Sequence, residues 1–363
     1  MRVLFCGGGT AGHITPALAL AEEFRKRYKK CALAFIGRMG GSENNLITNA
    51  GYKLYTINVR GFSRSFGIDN LKTVKLYFDA KHESENIINE FMPDVVIGTG
   101  GYVCAPVISV AARCGILTLI HESNAALGFT TRMLAGRCDM LLLGADIKTR
   151  FKNAKFVGNP TLDKFGAISK SKARHILGIS EDKRLIVSVG GSIGAEKINS
   201  AVIEMMKDLA KKRDGIYHIH SSGKRYYDNL KNEFPELCRD AGQCKILPFI
   251  DNMAVYLSAA DLLICRCGAM TLAEAACSGC PTIMIPSPNV TADHQKKNAL
   301  EYERVGAGVI IEEKELTSQK LQSAAEALLY DSKALAQMSR LAKSYYAENP
   351  KKRIIDLVEA KLG

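Results

Sequence analysis

The sequence predicts an α/β protein made of two Rossmann-like domains facing a cleft. Short apolar runs alternate with helical patterns from one end of the chain to the other, as in parallel sheets covered by helices on both faces. Glycine-rich turns follow several of these runs in both halves, at strand-to-helix junctions suited to holding phosphates. The length of 363 residues is ample for two domains, each with its own core.

The first element is the run Arg2 to Cys6, which ends in Gly7-Gly8-Gly9-Thr10-Ala11-Gly12-His13. Consecutive glycines let the backbone turn sharply and approach a ligand closely. A helix is expected to begin near Thr15, with Pro16 in its first turn and its positive end toward the glycines. Gly7, Gly9 and Gly12 also spell the dinucleotide fingerprint, which needs an Asp or Glu about 20 residues on to hold a ribose. This chain has Gly37-Arg38 there. Arg38 would suit the 2′-phosphate of NADP, so that reading stays open, but it leaves His13 unexplained. An imidazole at a helix N-terminus is a suitable proton acceptor; a structural hydrogen-bonding role is the alternative.

Further strands are expected at Ala32 to Ile36, Lys53 to Ile57, Val95 to Gly98, Leu117 to Ile120 and Met140 to Leu143. Gly98-Thr99-Gly100-Gly101-Tyr102 follows the fourth strand and His121-Glu122-Ser123-Asn124 ends the fifth. The carboxyl ends of such strands share one rim, so the two glycine turns should lie together. Between the third and fourth strands a loop carrying Arg60, Phe62, Arg64 and Phe66 leads into a helix with Leu71, Val74 and Phe78 on one face, flanked by Lys72, Lys75 and Lys81. This is either a core-facing helix with solvated lysines or a basic, aromatic surface for an anionic membrane.

Asn159-Pro160 reads as a hinge. A second series follows, with strands at Arg184 to Gly190, Gly215 to Ile219, Lys245 to Leu247, Asp261 to Cys265, Pro281 to Ile285 and Gly308 to Ile311. The turn Gly190-Gly191-Ser192-Ile193-Gly194 can hold a diphosphate or serve only as a tight turn. Thr271 and Glu274 stand one helical turn apart, a spacing that a capping box explains as well as a sugar contact does. The segment from Asp293 to Asn298, with Gln295, adds polar groups to the same rim. A helical tail broken at Pro350 closes the chain. The expected domains are 1–158, 159–345, and a C-terminal helix, 346–363, able to pack back on the first.

A balance of 49 Lys and Arg against 37 Asp and Glu, net +12, points to an anionic partner. The 47% hydrophobic and 24% charged content is that of an ordinary globular protein and does not indicate disorder. Eleven scattered cysteines fit a reduced compartment. Cys265, Cys267, Cys277 and Cys280 read as buried thiols, with a zinc site as the alternative. The N-terminus does not resemble a signal peptide, and the long uncharged stretches 95–112 and 275–292 are broken by Gly, Ser and Pro, so neither reads as a membrane span.

Seven motifs occur in order: Gly-Gly-Gly-Thr-Ala-Gly-His-Ile-Thr-Pro, Gly-Thr-Gly-Gly-Tyr-Val, His-Glu-Ser-Asn, Gly-Asn-Pro, Gly-Gly-Ser-Ile-Gly-Ala, Arg-Cys-Gly-Ala-Met-Thr-Leu-Ala-Glu and His-Gln-Lys-Lys-Asn-Ala. Together, from Val3 to about Val309, the chain resembles the peptidoglycan N-acetylglucosaminyltransferases that convert lipid I into lipid II. The resemblance implies the B-type glycosyltransferase fold and an inverting transfer from UDP-N-acetylglucosamine to the 4-hydroxyl of the muramic acid of lipid I, an undecaprenyl-diphosphate-linked muramyl pentapeptide. It implies a peripheral protein on the cytoplasmic face of the membrane, with no cofactor and no nucleic acid partner.

Carried over by motif, donor contacts fall on Thr10, Ala11, Gly12, Asn124, Ser192, Ile250, Glu274 and Gln295, with Ala269, Met270, Thr271, Leu272 and Ala273 lining the nucleotide pocket. Glu274 would hold the ribose hydroxyls, the Ile250 backbone uracil, and Asn124 and Gln295 the N-acetylglucosamine. Gly100, Gly101 and Tyr102, with Arg60, Phe62, Arg64, Phe66, Lys72 and Lys75, would face the acceptor and the membrane, and His13 would be the base. Ala11 and Ala105 stand where glycine is frequent, Ser123 where Gln is usual, Ile193 where a polar residue is frequent, and Leu162 where some members have Arg. No Asp-x-Asp occurs, so no metal clamp for the diphosphate is apparent and helix ends and backbone donors are expected to hold it. Rival readings are a diacylglycerol glycosyltransferase or UDP-N-acetylglucosamine 2-epimerase of the same fold, an NADP-dependent oxidoreductase, and a non-catalytic basic protein binding lipid or nucleic acid.

Overall fold

The computed structural model describes residues 1–61, 68–212, 215–239, 243–346 and 349–363, with the backbone alone at 68–71, 212 and 291. The chain forms two compact units, Met1–Leu162 with Glu348–Gly363, and Asp163–Ala347.

The first unit runs β1 (Arg2–Cys6), α1 (Ala11–Arg27), β2 (Ala32–Arg38), α2 (Asn44–Asn49), β3 (Lys53–Ile57), α3 (Ile68–Phe91), β4 (Val95–Gly98), α4 (Cys104–Arg113), β5 (Leu117–Glu122), α5 (Phe129–Leu134), β6 (Met140–Leu143) and β7 (Ala154–Phe156). Its parallel sheet has the order β3-β2-β1-β4-β5-β6-β7. Alternate residues of a strand face opposite sides. Val3 and Phe5 of β1 therefore enter one core with Phe24 of α1, while Leu4 and Cys6 enter another with Ile88 of α3 and Val107 of α4. Phe5 stacks on Phe35 with ring centroids 5.0 Å apart.

The second unit runs α6 (Lys170–Leu177), β8 (Arg184–Val189), α7 (Glu196–Lys212), β9 (Ile216–Ser221), α8 (Lys224–Glu233), β10 (Cys244–Leu247), α9 (Met253–Ala259), β11 (Leu262–Cys265), α10 (Ala269–Ser278), β12 (Thr282–Met284), α11 (His294–Arg304), β13 (Gly308–Ile310), α12 (Ser318–Leu329) and α13 (Ser332–Tyr345). Its parallel sheet has the order β10-β9-β8-β11-β12-β13. The last helix, α14 (Pro350–Leu362), belongs to the first unit. Ile354, Ile355 and Val358 are fully buried in the core that holds Val3 and Phe5. Arg27 of α1 pairs with Asp356 and Glu359, each at 2.5 Å. Asn349 caps the helix by accepting from the Lys352 N–H, and Pro350 occupies the first helical position, where no N–H is needed.

All twelve expected strands form, with ends shifted by a residue or two. The short edge strand β7 has no apolar run to announce it. Helix α1 starts at Ala11, not near Thr15. Pro16 is thus inside the helix and His13 sits in its first turn. The start is set by tertiary bonds: the Gly8 N–H donates to Gly100 O at 3.3 Å and the Thr99 hydroxyl to His13 O at 2.6 Å. Among the described residues no helix is long and apolar enough to cross a membrane.

Candidate active site

In each sheet the strand order reverses around the first strand of its unit, and such a switch point leaves a crevice at the carboxyl ends. In the first unit it lies between β1 and β4, where both glycine turns meet. Gly100 and Gly101 have φ of +114° and +81°, and a Cβ on Gly100 would lie 2.7 Å from His13 Cδ2. Only glycine lets this turn pack on the imidazole. Tyr102 packs on Gly9 and Gly61.

His13 is half-buried, and its Nδ1 lies 2.9 Å from the Gly8 carbonyl oxygen. A carbonyl only accepts, so Nδ1 carries a proton, and in the neutral form of the imidazole Nε2 is then the acceptor. Nε2 has no hydrogen-bond partner among the described residues. Thr10 and Ala11 are exposed and Gly12 half-buried at the start of α1, which has no side-chain cap. The Gly9 N–H, by contrast, donates to Glu43 Oε1 at 2.7 Å. A carboxylate occupying this amide repels a phosphate at that point, which counts against the dinucleotide reading.

His121 and Glu122 are buried and fully engaged. The His121 Nε2–H donates to Gly158 O at 3.0 Å, the Ser123 hydroxyl faces its Nδ1 at 3.4 Å, and burial lowers its proton affinity. Glu122 accepts from the Asn124 N–H and amide, the Gly128 N–H and the Thr131 hydroxyl. Glu122 therefore shapes the loop that presents Asn124.

Arg60 donates from Nε to the Thr73 hydroxyl at 2.7 Å. Phe62, Arg64 and Phe66 lie outside the described residues. On α3, Thr73, Ala80 and Ser84 are buried, whereas Val74 and Phe78 are 41% and 62% exposed. The core-facing reading of Val74 and Phe78 is thus overturned. Their face of the helix points outward with the exposed Lys72 and Lys75.

In the second unit the switch point lies between β8 and β11. Ser192 is exposed in the turn after β8, and that turn is held by Gly194, whose φ is +81° and whose Cβ would lie 2.1 Å from Ser222 O. After β11, Gly268 is the N-cap of α10 and no side chain caps the helix. Leu272 makes the first intrahelical bond, to Gly268 O, which leaves the amides of Ala269, Met270 and Thr271 directed out of the helix end. Thr271 is therefore the third residue of the helix and not its cap, so the capping-box reading fails. Met270, Leu272 and Ala273 are buried; Ala269, Thr271 and Glu274 are half-buried. Burial pushes the Glu274 carboxyl up to about 7, against the opposing effect of Lys164.

Gln295 of α11 accepts at Oε1 from the Ser287 N–H at 2.9 Å and the Cys267 N–H at 3.3 Å, joining the loops after β12 and β11. Ile250 is buried in the connection after β10. Leu162 packs against the core of the first unit. Cys265, Cys267 and Cys280 are buried thiols, and Cys277 donates to Phe165 O at 3.3 Å.

Of three further residues that shape these rims, Thr99 and Asn298 stand in segments named from the sequence, whereas Glu43 was missed. Glu43 follows Gly40-Gly41-Ser42 after β2, a signal that a glycine-rich turn was there to be read. Thr99 binds the His13 carbonyl, and the Asn298 amide donates to Cys267 O at 3.0 Å.

Residues 3–142 match the glycosyltransferase family 28 N-terminal domain and residues 185–358 its C-terminal domain. The chain belongs to glycosyltransferase family 28. It is 41% identical to the UDP-N-acetylglucosamine--N-acetylmuramyl-(pentapeptide) pyrophosphoryl-undecaprenol N-acetylglucosamine transferase of Acetivibrio thermocellus, covering 99% of this chain and 98% of the relative. The Bacillus subtilis protein of the same name is 35% identical, with 99% of both chains covered. Among solved structures it is similar to Acinetobacter baumannii MurG, with a TM-score of 0.77, 25% identity and 99% of each chain covered. A Staphylococcus aureus MnaA-UDP co-structure, at 12% identity and a TM-score of 0.69 over 99% of this chain and 96% of that one, shares the fold alone. The family 28 chain thus has the B-type glycosyltransferase fold, and its two parallel sheets are the two family 28 domains.

Proposed function

We propose that this family 28 enzyme transfers N-acetylglucosamine from UDP-N-acetylglucosamine to the 4-hydroxyl of the muramic acid of lipid I, forming lipid II with inversion. One observation carries the reaction type: the His13 imidazole, bound through Nδ1 to Gly8 O, offers Nε2 as a proton acceptor at the switch point of the first sheet. The substrates are those in the names of the relatives that match along nearly the whole chain.

In this reading the acceptor hydroxyl gives its proton to His13 Nε2 as its oxygen bonds to the anomeric carbon. The bond from that carbon to the UDP oxygen breaks on the opposite side. The leaving diphosphate is stabilised by amides at the start of α10 and in the turn containing Ser192. Glu274 binds the ribose hydroxyls in its ionised form, and Thr10, Ala11, Gly12, Asn124, Ile250 and Gln295 complete the donor contacts.

The outward Val74 and Phe78, with Lys72 and Lys75, support peripheral docking on an anionic membrane at its cytoplasmic face, where the lipid-linked acceptor would be met.

The decisive assay follows UDP release from UDP-N-acetylglucosamine with and without lipid I. Release that requires lipid I supports the reading. Formation of UDP-N-acetylmannosamine from the donor alone would instead make the chain a 2-epimerase. Stabilisation of about 2.7 kcal/mol by UDP at a hundredfold its dissociation constant, without any by NADPH, would separate it from an oxidoreductase.

A further inference from the structure

The connection after β2 holds a carboxylate that the reaction as described does not use. Glu43 is 8% exposed, precedes α2, and makes no capping bond to that helix. Its Oε1 instead accepts the Gly9 N–H at 2.7 Å, while the carbonyl of Gly8 accepts the His13 Nδ1–H at 2.9 Å. That N–H and that carbonyl are the two ends of one peptide group. The peptide is a conjugated plane, so a carboxylate drawing on its N–H places more negative charge on its oxygen. Hydrogen bonds in series strengthen one another in this way.

The surroundings hold both ends. A Cβ on Gly41 would lie 2.8 Å from Glu43 Oε1 and one on Gly8 3.2 Å from it, so glycine at these positions gives the carboxylate its approach. A Cβ on Gly101 would lie 1.9 Å from Gly8 O and 3.0 Å from His13 Nδ1. Thr99 fixes the His13 backbone. The Gly8–Gly9 peptide therefore has little freedom to flip, and its orientation sets which imidazole nitrogen is protonated.

We propose that Glu43 is a positioning residue for sugar transfer, acting through the Gly8–Gly9 peptide to hold the His13 ring with Nε2 free and to stabilise the positive charge the ring gains with the acceptor's proton. No proton passes along the chain: the acceptor proton stays on Nε2, Nδ1 keeps its own, and Glu43 remains ionised. The proposal rests on His13 being the base.

The test compares the full-length parent with Glu43→Gln, Glu43→Ala and His13→Asn, using UDP-N-acetylglucosamine and lipid I. Glu43→Gln keeps an acceptor oxygen and removes the charge, whereas Glu43→Ala also releases the peptide. Losses of kcat of about 10-fold for Gln and about 100-fold for Ala are expected, by analogy with the roughly 10- to 100-fold losses when the hydrogen-bond partner of a metal-bound histidine is removed, with KM for UDP-N-acetylglucosamine unchanged in Glu43→Gln. In the Gln variant the Nδ1 proton resonance of His13 should move upfield as its hydrogen bond weakens, a shift that a purely structural role for Glu43 would not give. Parental kcat in Glu43→Gln, or a lowered kcat with the resonance unmoved, would overturn the proposal. If His13→Asn is inactive while Glu43→Gln is not, only the relay fails. If His13→Asn transfers sugar as the parent does, the base assignment fails and the relay with it.

Discussion

A Cβ placed on Gly101 would lie 1.9 Å from the carbonyl oxygen of Gly8, and the Gly101 φ is +81°. The two glycine turns are pressed together more closely than any other residue allows. Gly101→Ala should therefore cost more than the roughly 1–2 kcal/mol of a left-handed backbone alone, because the β1 turn must also move. Urea unfolding measures it. Sugar transfer should fall with it while UDP affinity stays, and a cost under about 1 kcal/mol would show that the turns are not in contact.

His13→Asn keeps a hydrogen-bonding side chain and removes the proton acceptor. The transfer rate should drop by about 10²- to 10⁴-fold with UDP affinity retained, since the nucleotide contacts proposed for Ser192, Ile250 and Glu274 are untouched. Transfer within a few fold of the parent at saturating acceptor would end the base assignment. The structural bonds of His121 and Glu122 make both poor replacements.

Glu274 supplies a pH dependence. Its folded carboxyl titrates at about 7, above the ordinary carboxylate range, so between these limits the fold holds a proton that the unfolded chain has released. Stability should decline as pH rises from the ordinary carboxylate range to about 7 and then level off. Ribose hydroxyls donate to the ionised form, so donor affinity should change in the opposite sense. It should improve about tenfold between about pH 6 and pH 8. Calorimetry on Glu274→Gln should show weaker binding by about 1.5–3 kcal/mol at the higher pH and no such dependence; an unchanged affinity would remove Glu274 from the site.

Membrane docking through α3 should weaken with salt, because lysines near an anionic surface contribute about 1 kcal/mol each. Replacing Lys72 and Lys75 with Gln, or Val74 and Phe78 with Ser, should lower co-sedimentation with anionic vesicles. Equal binding to neutral vesicles, or none lost in either pair, would refute this surface.

Helix α14 contributes to the first unit's core across more than three hundred residues of sequence. Ile355 is fully buried there, and Ile355→Ala should cost about 2–5 kcal/mol in unfolding by leaving a cavity. A near-neutral effect would mean that α14 does not complete this core.

The strands were legible because a parallel strand buried on both faces is a continuous apolar run between turn residues, as in Val95–Gly98 and Leu262–Cys265. Strand β7 was not, since Ala154, Lys155 and Phe156 are half-buried or exposed at a sheet edge. A propensity reading puts a proline near a helix start, so Pro16 drew the expected start of α1 past His13. The Thr271 and Glu274 spacing fitted a cap that the chain places at Gly268.

Local pattern alone determined that this chain builds two parallel sheets with glycine turns at their carboxyl ends, and that His13, Ser192, Glu274 and Gln295 belong to those rims, because periodicity and turn chemistry act over a few residues. Only the tertiary structure decided which nitrogen of His13 is free, that Glu43 reaches the Gly9 amide, and that Val74 and Phe78 face outward on α3. The Glu43 contact and the packing of α3 depend on segments distant in sequence, and the His13 ring, bonded to Gly8 O five residues back, is held in place by the distant turn at Gly100 and Gly101; no local preference encodes the distance or direction at which such segments meet.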